Sequence, residues 1–291
     1  MVKQTHVYKR TAHCSIEADV YDNGPGTPVI MYLHSGALIF GTREWLAQEQ
    51  IDFFGRAGFS IVNIDYRLAP ETTIERIVED VKDAIHWVKH EASGMYGFDS
   101  DAMALMGSSV GGYLSLLMGT MPDNVRPKAI VSLYGYGNII GSWLSEPSAY
   151  YCSKQAVSEK EAAKTVGDRE LTSGAWARFD YYVRCRQQGD WLTKVCGFDA
   201  TRNQGRILPY NPISHVAPHY PPTIFLHGDQ DTDVPYEQSV LMHDELRIHG
   251  VISKLVTIEG ADHVFDQHFD KPDVRSAFED IVAFLNKHVR A

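Results

Sequence analysis

The sequence predicts an α/β fold built on a mostly parallel central sheet with helices on both faces. Short apolar runs alternate with amphipathic helical patterns between residues 28 and 133 and again between residues 223 and 289. Strands that are this short and this apolar, each followed by a helix, are typical of a parallel sheet that is buried on both faces. The 291 residues, of which 44% are hydrophobic, suffice for one large core with an inserted subdomain.

The elements follow one another in a regular order over the first half of the chain. Residues 6–21 are expected to form a β-hairpin ahead of the parallel strands. Strands are predicted at residues 29–33, 59–64, 102–106 and 128–133, and helices at residues 44–56, 74–91 and 111–121. The second helix has the clearest pattern, because its apolar residues recur at intervals of three and four. These residues are Ile74, Ile77, Val78, Val81, Ile85 and Val88.

This alternation stops after Tyr134. Residues 136–207 are richer in aromatic and charged groups, hold three of the five tryptophans, and show helical patterns at 158–165 and 175–188. We therefore predict an inserted helical cap at residues 136–207, carried by a core domain of residues 1–135 and 208–291. The α/β pattern resumes with strands at 223–227 and 254–258 and helices at 236–249 and 274–289.

The charge balance argues against two classes of partner. The formal net charge is −10 and the basic residues form no dense cluster, so nucleic acid and anionic membrane surfaces are poor candidates. The first ten residues lack the apolar core of a signal peptide, and no later run approaches the length of a membrane span. We therefore expect a cytoplasmic protein without a membrane span.

The four cysteines are predicted to be reduced thiols. They are Cys14, Cys152, Cys185 and Cys196, and they show neither a C-x-x-C pair nor the spacing of metal ligands. A disulfide between Cys185 and Cys196 is an alternative only if the protein resides in an oxidising compartment.

A serine framed by glycines follows the apolar run at residues 103–106. Ser109 has Gly107 two residues before it and Gly111 two residues after it, whereas Ser108 has glycine at neither place. Glycines at both positions allow a sharp turn from strand to helix that leaves the serine hydroxyl exposed. A helical pattern follows directly, which favours a nucleophilic serine over an ordinary turn.

A serine nucleophile needs a base that takes its proton and a group that orients this base. On a doubly wound sheet we expect both on loops at the carboxyl ends of later strands. The loop at residues 228–235 offers Asp229, Asp231 and Asp233 as the acid. Their alternation does not indicate calcium, since Val234 and Val240 stand where an EF-hand loop requires glycine and glutamate.

Five histidines follow the acidic loop, and His263 is the best candidate for the base. Three of the others lie on predicted helices, where a solvated or packed histidine is the ordinary interpretation. His268 lies a few residues beyond the strand end, whereas His263 lies within the short loop itself. The expected chain order is therefore Ser109, an aspartate and His263.

An oxyanion that forms on the substrate needs backbone N–H donors, each typically worth ~3–4 kcal/mol. One donor is expected from Val110, directly after the nucleophile. The others are expected from residues 34–41, the loop after the first parallel strand. Gly36 and Ala37 are favoured there, because small residues let the backbone approach a ligand closely.

Together these residues resemble the α/β-hydrolase fold and, within it, the esterases similar to hormone-sensitive lipase. The resemblance covers most of the chain outside the predicted cap. Residues 34–37 (His-Ser-Gly-Ala) resemble the H-G-G-G/A oxyanion motif, and residues 65–71 match the D-Y-R-L-A-P-E signature. In such families the acid stands three residues after an H-G pair and three before V-P, which implies Asp231. Their G-x-x-H motif implies His263 as the base.

Departures from the family pattern leave the subfamily open. Ser35 replaces the first glycine of the oxyanion motif, Ser108 stands where relatives often have aspartate, and Val110 where they often have alanine. The predicted cap also lies between the strand after the nucleophile and the strand before the acid. That placement resembles carboxylesterases and peptidase-like relatives of the prolyl oligopeptidase kind.

The expected mechanism is acyl transfer through a Ser-His-Asp triad and an acyl-enzyme, without a metal or organic cofactor. Activity should fall toward acid pH near the pKa of His263, which for histidine is normally ~6.5. We expect a carboxylic-ester hydrolase whose partner is a small-molecule ester with a small to medium apolar acyl group; a homodimer stays open. The alternatives are a lactonase, an aminopeptidase-like amidase, or a non-catalytic ligand receptor of the same fold.

The remaining candidates are assigned packing roles or left undecided. The cap aromatics either line a substrate pocket or pack the cap on the sheet. They are Trp143, Tyr150, Tyr151, Trp176, Phe179, Tyr181, Tyr182 and Trp191. His34 is expected to structure the oxyanion loop and Arg67 to form a buried ion pair. His215, His219 and His227 show no convincing ligand spacing.

Overall fold

A computed structural model describes residues 1–200 and 202–290, and over these residues eight strands form one sheet. The strands are β1 at Lys3–Arg10, β2 at Ser15–Tyr21, β3 at Pro28–Leu33, β4 at Ser60–Ile64, β5 at Asp99–Ser108, β6 at Ala129–Leu133, β7 at Thr223–Gly228 and β8 at Ser253–Ile258. Their order is β1-β2-β4-β3-β5-β6-β7-β8. The β1–β2 and β2–β4 pairs are antiparallel and the other pairs are parallel.

Helices connect these strands and cover the sheet. They are α1 at Gln48–Arg56, α2 at Ile74–Trp87, α3 at Ser93–Tyr96, α4 at Val110–Gly119, α5 at Ser142–Ser145, α6 at Ala149–Cys152, α7 at Glu159–Ala162, α8 at Phe179–Gln188, α9 at Trp191–Cys196, α10 at Gln204–Ile207, α11 at Glu237–Ile248 and α12 at Pro272–Val289. Single 3₁₀ turns lie at Arg43–Trp45, Ala163–Thr165, Trp176–Arg178, Leu208–Tyr210, Pro212–His215 and Phe265–His268.

The predicted mostly parallel sheet with helices on both faces is confirmed, and β3 shows why its sequence is apolar throughout. All six residues of β3 are buried. Met31 faces one core with α2 and α4, whereas Ile30 faces the other with α1 and α12. Successive side chains of a strand point to opposite faces, so a strand covered on both faces needs an apolar residue at every position.

Two predicted helices have different ends in the structure. The helix predicted at residues 44–56 begins only at Gln48, since a 3₁₀ turn at Arg43–Trp45 and an extended residue, Leu46, precede it. The helix predicted at residues 74–91 ends at Trp87 and continues as a π-helical turn at Val88–Ala92. The apolar periodicity runs through both irregularities, because one buried face continues across them.

Short helices α5–α10 occupy the segment between β6 and β7, and Arg178 ties this segment to the core. The Arg178 guanidinium donates to both carboxylate oxygens of Glu71, at 3.0 and 2.7 Å, and to the carbonyl of Ile39 at 2.6 Å. A single β-bridge joins Gly41 to Gly174. The division of the chain into a core domain and a cap at residues 136–207 stays a prediction.

Arg67 forms the buried ion pair that its sequence context suggested. Its Nε and Nη2 atoms lie 2.7 and 2.8 Å from the two carboxylate oxygens of Asp80, and Nη1 lies 2.7 Å from Glu170. All four cysteines are free, Cys185 and Cys196 included. Within residues 1–200 and 202–290, no helix combines the length and apolarity needed to cross a membrane.

The parallel strands place several loops at one edge of the sheet. Leu33 of β3 pairs with Gly107 of β5, and Gly228 of β7 pairs with Ile258 of β8. The carboxyl ends of these strands therefore meet at the same edge, where open α/β sheets bind their ligands. The loops that carry the predicted oxyanion donors, nucleophile, acid and base all begin there.

Candidate active site

Ser109 lies at the turn between β5 and α4 in a strained backbone conformation. Its φ is 53° and its ψ −119°, a region that L-residues rarely adopt. The flanking glycines permit this turn by allowing close contact between chain segments. A Cβ atom at Gly107 would lie 2.1 Å from the backbone of Gly111, and one at Gly111 would lie 2.0 Å from the carbonyl oxygen of Leu33. The turn thus requires glycine at both positions.

Ser109 lines a cavity of about 460 Å³ between the sheet edge and the segment that joins β6 to β7. The predicted base His263 and the oxyanion candidates Gly36 and Ala37 line the same cavity. Val110 begins α4 with its side chain fully buried, so any contribution to the cavity comes from its backbone N–H. The first N–H groups of a helix have no partner within the helix, which leaves them available to an anion.

His263 and Asp231 form a close pair beside this cavity. His263 Nδ1 lies 2.7 Å from Asp231 Oδ2, and the Asp231 side chain is fully buried. The other two aspartates of the loop have different partners: Asp229 accepts from the backbone N–H of Gly260 at 2.7 Å, and Asp233 pairs with Arg186 at 2.8 Å. The structure therefore brings Asp231, of the three candidates, to His263 Nδ1.

The electrostatic surroundings favour a charged Asp231. Burial alone would raise the pKa of this carboxyl group. The two imidazoles beside the carboxylate, His227 and His263, outweigh that effect and hold the pKa well below its ordinary value. Asp231 is therefore a carboxylate at neutral pH, as an acid that orients an imidazole must be.

The environment of His263 favours its protonated form. Burial lowers the pKa of His263. The hydrogen bond to Asp231 and the charges of Asp231, Asp233 and Asp266 raise this pKa by more than burial lowers it, so the net shift is upward. The ring of Tyr134 stands edge-on to the imidazole with 4.6 Å between centroids. Tyr134 is held in turn by a 2.6 Å hydrogen bond from its hydroxyl to Asp266.

The loop after β3 has an unusual backbone at the predicted oxyanion residues. Gly36, Ala37 and Leu38 have φ values of 114°, 56° and 60°. A Cβ atom at Gly36 would lie 1.9 Å from the carbonyl oxygen of Phe40, so this position requires glycine. The Gly36 carbonyl accepts from the N–H groups of Ile39 and Phe40, both at 2.9 Å, which closes the loop into a tight turn.

His34 stabilises this loop from below. The imidazole is fully buried, stacks on the Tyr66 ring with 4.2 Å between centroids, and its Nδ1 lies 2.6 Å from the carbonyl oxygen of Ser35. The Tyr66 hydroxyl donates to the His34 carbonyl at 2.8 Å. Burial lowers the pKa of His34 to about 4. A neutral, stacked ring is what a residue that positions the loop needs.

Some aromatic residues of the 136–207 segment line the cavity, and others pack in the core. Five of the eight named above, all within the described residues, line the cavity: Tyr150, Tyr151, Trp176, Phe179 and Tyr182. Trp191 is fully buried instead, and its indole N–H donates to the Ala37 carbonyl at 2.9 Å. Periodicity could not separate these roles, since each depends on which helix face meets the core.

Two contacts at the site were not foreseen from the sequence. His227 Nε2 lies 3.2 Å from Asp231 Oδ2, so a second histidine contacts the same carboxylate oxygen as His263. Asp233 Oδ2 lies 3.8 Å from His263 Nε2, while Asp233 Oδ1 is held by Arg186. The position of His227 four residues before Asp231, in the H-G pair that locates the acid, was the available signal.

The described part of the chain offers no cluster of three or more His, Cys, Asp or Glu side chains arranged to hold a metal ion.

Comparisons with known proteins place this chain among relatives of the same fold. The sequence profile of a family described as BD-FAE matches residues 18–246. A protein of unknown function from Staphylococcus aureus subsp. aureus Mu50 has a similar crystal structure, with a TM-score of 0.82, 26% identity, and coverage of 99% of this chain and 100% of that one. An α/β-hydrolase superfamily protein from Enterococcus faecalis has a TM-score of 0.77 at 23% identity, covering 98% and 99% of the two chains.

An esterase and a group of much longer proteins are also similar. The thermophilic esterase Est2 of Thermogutta terrifontis has a TM-score of 0.70 at 20% identity, covering 98% of this chain and 92% of that one, and esterase 2 of this organism has also been solved phosphonylated by sarin. Among curated proteins, the non-reducing polyketide synthase ausA of Aspergillus calidoustus is 26% identical over 98% of this chain. The chain spans only 14% of the length of that relative.

Proposed function

Because the chain belongs to the BD-FAE family, a hormone-sensitive-lipase-like family of α/β-hydrolases, we propose that it hydrolyses carboxylic esters through a Ser109-His263-Asp231 triad. The α/β-hydrolase fold of this chain supports ester hydrolysis as the general class of reaction. The phosphonylation of the Thermogutta esterase by sarin is a reaction of that protein, and it suggests a useful probe for this one. The proposal itself rests on the geometry of this chain.

The observation that carries the proposal is the 2.7 Å contact between His263 Nδ1 and a fully buried Asp231 carboxylate, beside a cavity that also holds Ser109. A carboxylate at Nδ1 fixes the tautomer that leaves Nε2 free to accept a proton. A strained turn at a helix N-terminus is the usual placement of such a serine, and Ser109 lines the same cavity as His263. The three groups have the roles that nucleophilic catalysis requires.

In the proposed reaction, the Ser109 hydroxyl oxygen attacks the acyl carbonyl while His263 Nε2 takes its proton. The carbonyl oxygen gains negative charge, which backbone N–H groups of Gly36, Ala37 and Val110 would stabilise. The tetrahedral intermediate collapses and expels the alcohol, which takes the proton from His263. Water then attacks the acyl-enzyme by the same route, releases the acid and regenerates the serine. Asp231 stays ionised throughout and stabilises the imidazolium.

The shape and lining of the cavity support a small to medium apolar acyl substrate. Its volume of about 460 Å³ lies at the low end of the usual range for small-molecule sites. Aromatic rings form one wall: Phe40, Trp45, Tyr150, Tyr151, Trp176, Phe179 and Tyr182. Two of these residues, Trp45 and Trp176, stack on each other with 5.4 Å between centroids. A small-molecule ester is therefore the proposed partner.

The test is hydrolysis of a panel of p-nitrophenyl esters, from acetate to palmitate, by the protein and by Ser109→Ala. We expect activity on the shorter esters that Ser109→Ala abolishes. The matched control is Ser108→Ala, which removes the neighbouring hydroxyl, bonded to the Tyr32 hydroxyl at 2.7 Å, and should keep measurable turnover. A fluorophosphonate should label the protein at Ser109 and leave Ser109→Ala unlabelled.

The alternatives predict different results in the same assay. A lactonase or an aminopeptidase-like amidase would be labelled at Ser109 but would prefer lactones or aminoacyl amides over the esters. A hydrolase-fold receptor would bind ligands without turnover, and Ser109→Ala would leave that binding intact. A folded protein that neither turns over any ester nor reacts with the phosphonate contradicts the proposal.

A further inference from the structure

Asp231 accepts three hydrogen bonds, and the ring nitrogen of a second histidine lies close to its remaining acceptor site. Oδ1 accepts from the backbone N–H groups of Asp233 and Val234, both at 2.9 Å. Oδ2 accepts from His263 Nδ1 at 2.7 Å and lies 3.2 Å from His227 Nε2. An ionised carboxylate offers about four acceptor sites, and His227 Nε2 stands within reach of the fourth.

The neighbours of His227 fix its tautomer. Nε2 lies 3.2 Å from Asp231 Oδ2 and 3.1 Å from the carbonyl oxygen of Val234, and both are acceptors, so Nε2 carries the proton. Nδ1 lies 2.7 Å from Ser239 Oγ, whose hydroxyl can donate to it. The ring is fully buried, and Tyr236 packs edge-on to it with 5.7 Å between centroids. A neutral His227 with hydrogen on Nε2 fits these contacts, because the single hydroxyl hydrogen of Ser239 is better placed toward Nδ1 at 2.7 Å than toward the Gly135 carbonyl oxygen at 3.4 Å.

We propose that His227 is a positioning residue, whose Nε2–H holds the Asp231 carboxylate in the orientation and charge distribution that His263 requires. It touches neither substrate nor nucleophile, and it acts through Asp231. This inference rests on the proposed function, since it assigns the partner of the proposed triad acid. It goes further because it makes the triad a four-residue unit.

The physical consequence concerns the basicity of Asp231. A donor on Oδ2 withdraws negative charge from the oxygen that faces His263. Without it, a buried lone pair stays unsatisfied, and the oxygen attracts the His263 imidazolium more strongly. The pKa of His263 should therefore rise, and a larger fraction of the base should be protonated and inactive at neutral pH.

The remaining charged or polar groups around His263 are unchanged by a substitution at residue 227. They are Asp233 and Asp262 of the two loops, Asp266 after the base, and the Tyr134 ring from the end of β6. A shift in the titration of His263 in a His227 variant is therefore attributable to Asp231. A role for His227 in packing alone would lower activity equally at every pH.

The test uses two variants, His227→Gln and His227→Asn, whose side-chain amides each take the place of one ring nitrogen. The amide nitrogen of His227→Gln reaches the place of Nε2 and can still donate to Asp231. The shorter amide of His227→Asn reaches only the place of Nδ1, so it keeps the Ser239 partner and loses the donor to Asp231. Both variants are polar and similar in volume, and thermal unfolding will show whether each is folded.

The measurement is the pH dependence of kcat/KM for a short-chain p-nitrophenyl ester. In His227→Asn we expect the acid limb to move up by about one pH unit, so that activity at the old midpoint falls roughly fivefold and activity well below it roughly tenfold. His227→Gln should restore the acid limb of the unmodified protein. Equal losses at all pH values in both variants, or an unmoved acid limb in His227→Asn, would overturn the inference.

A second readout separates this inference from the proposed function. The ring nitrogens of His263 can be titrated by NMR in ¹⁵N-histidine-labelled protein without any substrate. Absent ester turnover by the unmodified protein would refute the proposed function alone. The inference would then be decided by whether the His263 titration moves upward in His227→Asn and returns in His227→Gln.

Discussion

The indole N–H of Trp191 donates to the carbonyl oxygen of Ala37 over 2.9 Å. This bond joins the helical segment between β6 and β7 to the proposed oxyanion loop. Trp191 is fully buried, and Ala37 has a φ of 56°, a value that non-glycine residues rarely adopt. A peptide held in such a conformation needs an external partner to keep it there. Trp191 is that partner.

Replacement of Trp191 by phenylalanine should therefore impair catalysis. The loop would lose its anchor, and donors displaced by a fraction of an ångström should lower kcat roughly ten- to hundredfold. The Ala37 carbonyl left without a donor should cost about 1–3 kcal/mol of unfolding free energy, and the smaller buried ring should add to this cost. Trp143→Phe is the matched control, because the Trp143 N–H donates within its own segment, to Asn138 at 3.0 Å. Similar kinetics for the two variants would contradict the role given to Trp191.

The acid limb of kcat/KM should lie above the ordinary histidine pKa of ~6.5. Activity requires neutral His263, and Asp231, Asp233 and Asp266 shift its pKa upward despite burial. Asp233→Asn removes one of these charges, 3.8 Å from Nε2. The acid limb should then move to lower pH, because the imidazolium loses a stabilising anion.

The control for that prediction is Glu279→Gln. Glu279 is an exposed residue of α12 that does not line the cavity, and its replacement removes one negative charge as Asp233→Asn does. Its pH profile should superimpose on that of the unmodified protein. An acid limb that stays in place in Asp233→Asn would contradict the prediction. It would show that the ion pair with Arg186 already cancels the effect of the Asp233 charge on the pKa of His263.

The glycines of the nucleophile turn should resist substitution. Gly111→Ala places a Cβ atom 2.0 Å from the Leu33 carbonyl oxygen, so β3 and α4 must separate. We expect a loss of about 1–3 kcal/mol in unfolding free energy together with loss of ester hydrolysis. Gly94→Ala in α3 is the opposite case, since nothing lies within 4 Å of its Cβ position. It should stabilise the protein by ~0.5–1 kcal/mol. Chemical denaturation curves of the two variants provide the comparison.

Trp176 should influence the selectivity for acyl chain length. Its side chain is 61% exposed, yet it lines the cavity and stacks on Trp45. Trp176→Ala should lower kcat/KM for longer acyl groups by about fourfold for each methylene that loses its contact, and leave acetate nearly unchanged. Leu241→Ala, which shortens an exposed residue remote from the cavity, is the control. A uniform loss across the ester panel would place Trp176 outside the acyl site.

The sharp turn at Ser109 and the sheet could be predicted because both depend on neighbours in the chain. The alternation of strands and helices reflects burial on two faces, and the glycines around Ser109 reflect a turn of a few residues. Helix ends were less predictable: α1 begins at Gln48 although the apolar pattern starts earlier, because Leu46 is extended. Periodicity reports a buried face and carries no information about the backbone path along it.

The acid and its surroundings depend on contacts between distant residues. Three aspartates alternate after β7, and only a resemblance to known esterases favoured Asp231 before its 2.7 Å contact with His263 was seen. The contact of His227 with the same oxygen was not foreseen, because a histidine at a strand end has many ordinary explanations. Likewise, no pattern could distinguish Trp191, bonded to Ala37, from Trp176, which lines the cavity.

Local structure can thus be predicted from the sequence, whereas contacts between distant residues cannot. Which segments form strands, where the chain must turn sharply, and which residue types are capable of acyl transfer all follow from short stretches of sequence. The partner of each carboxylate, the placement of each aromatic ring, and the direction of each pKa shift follow from tertiary packing. Packing brings together groups as far apart in the chain as Ala37 and Trp191, and their separation is set by the whole fold.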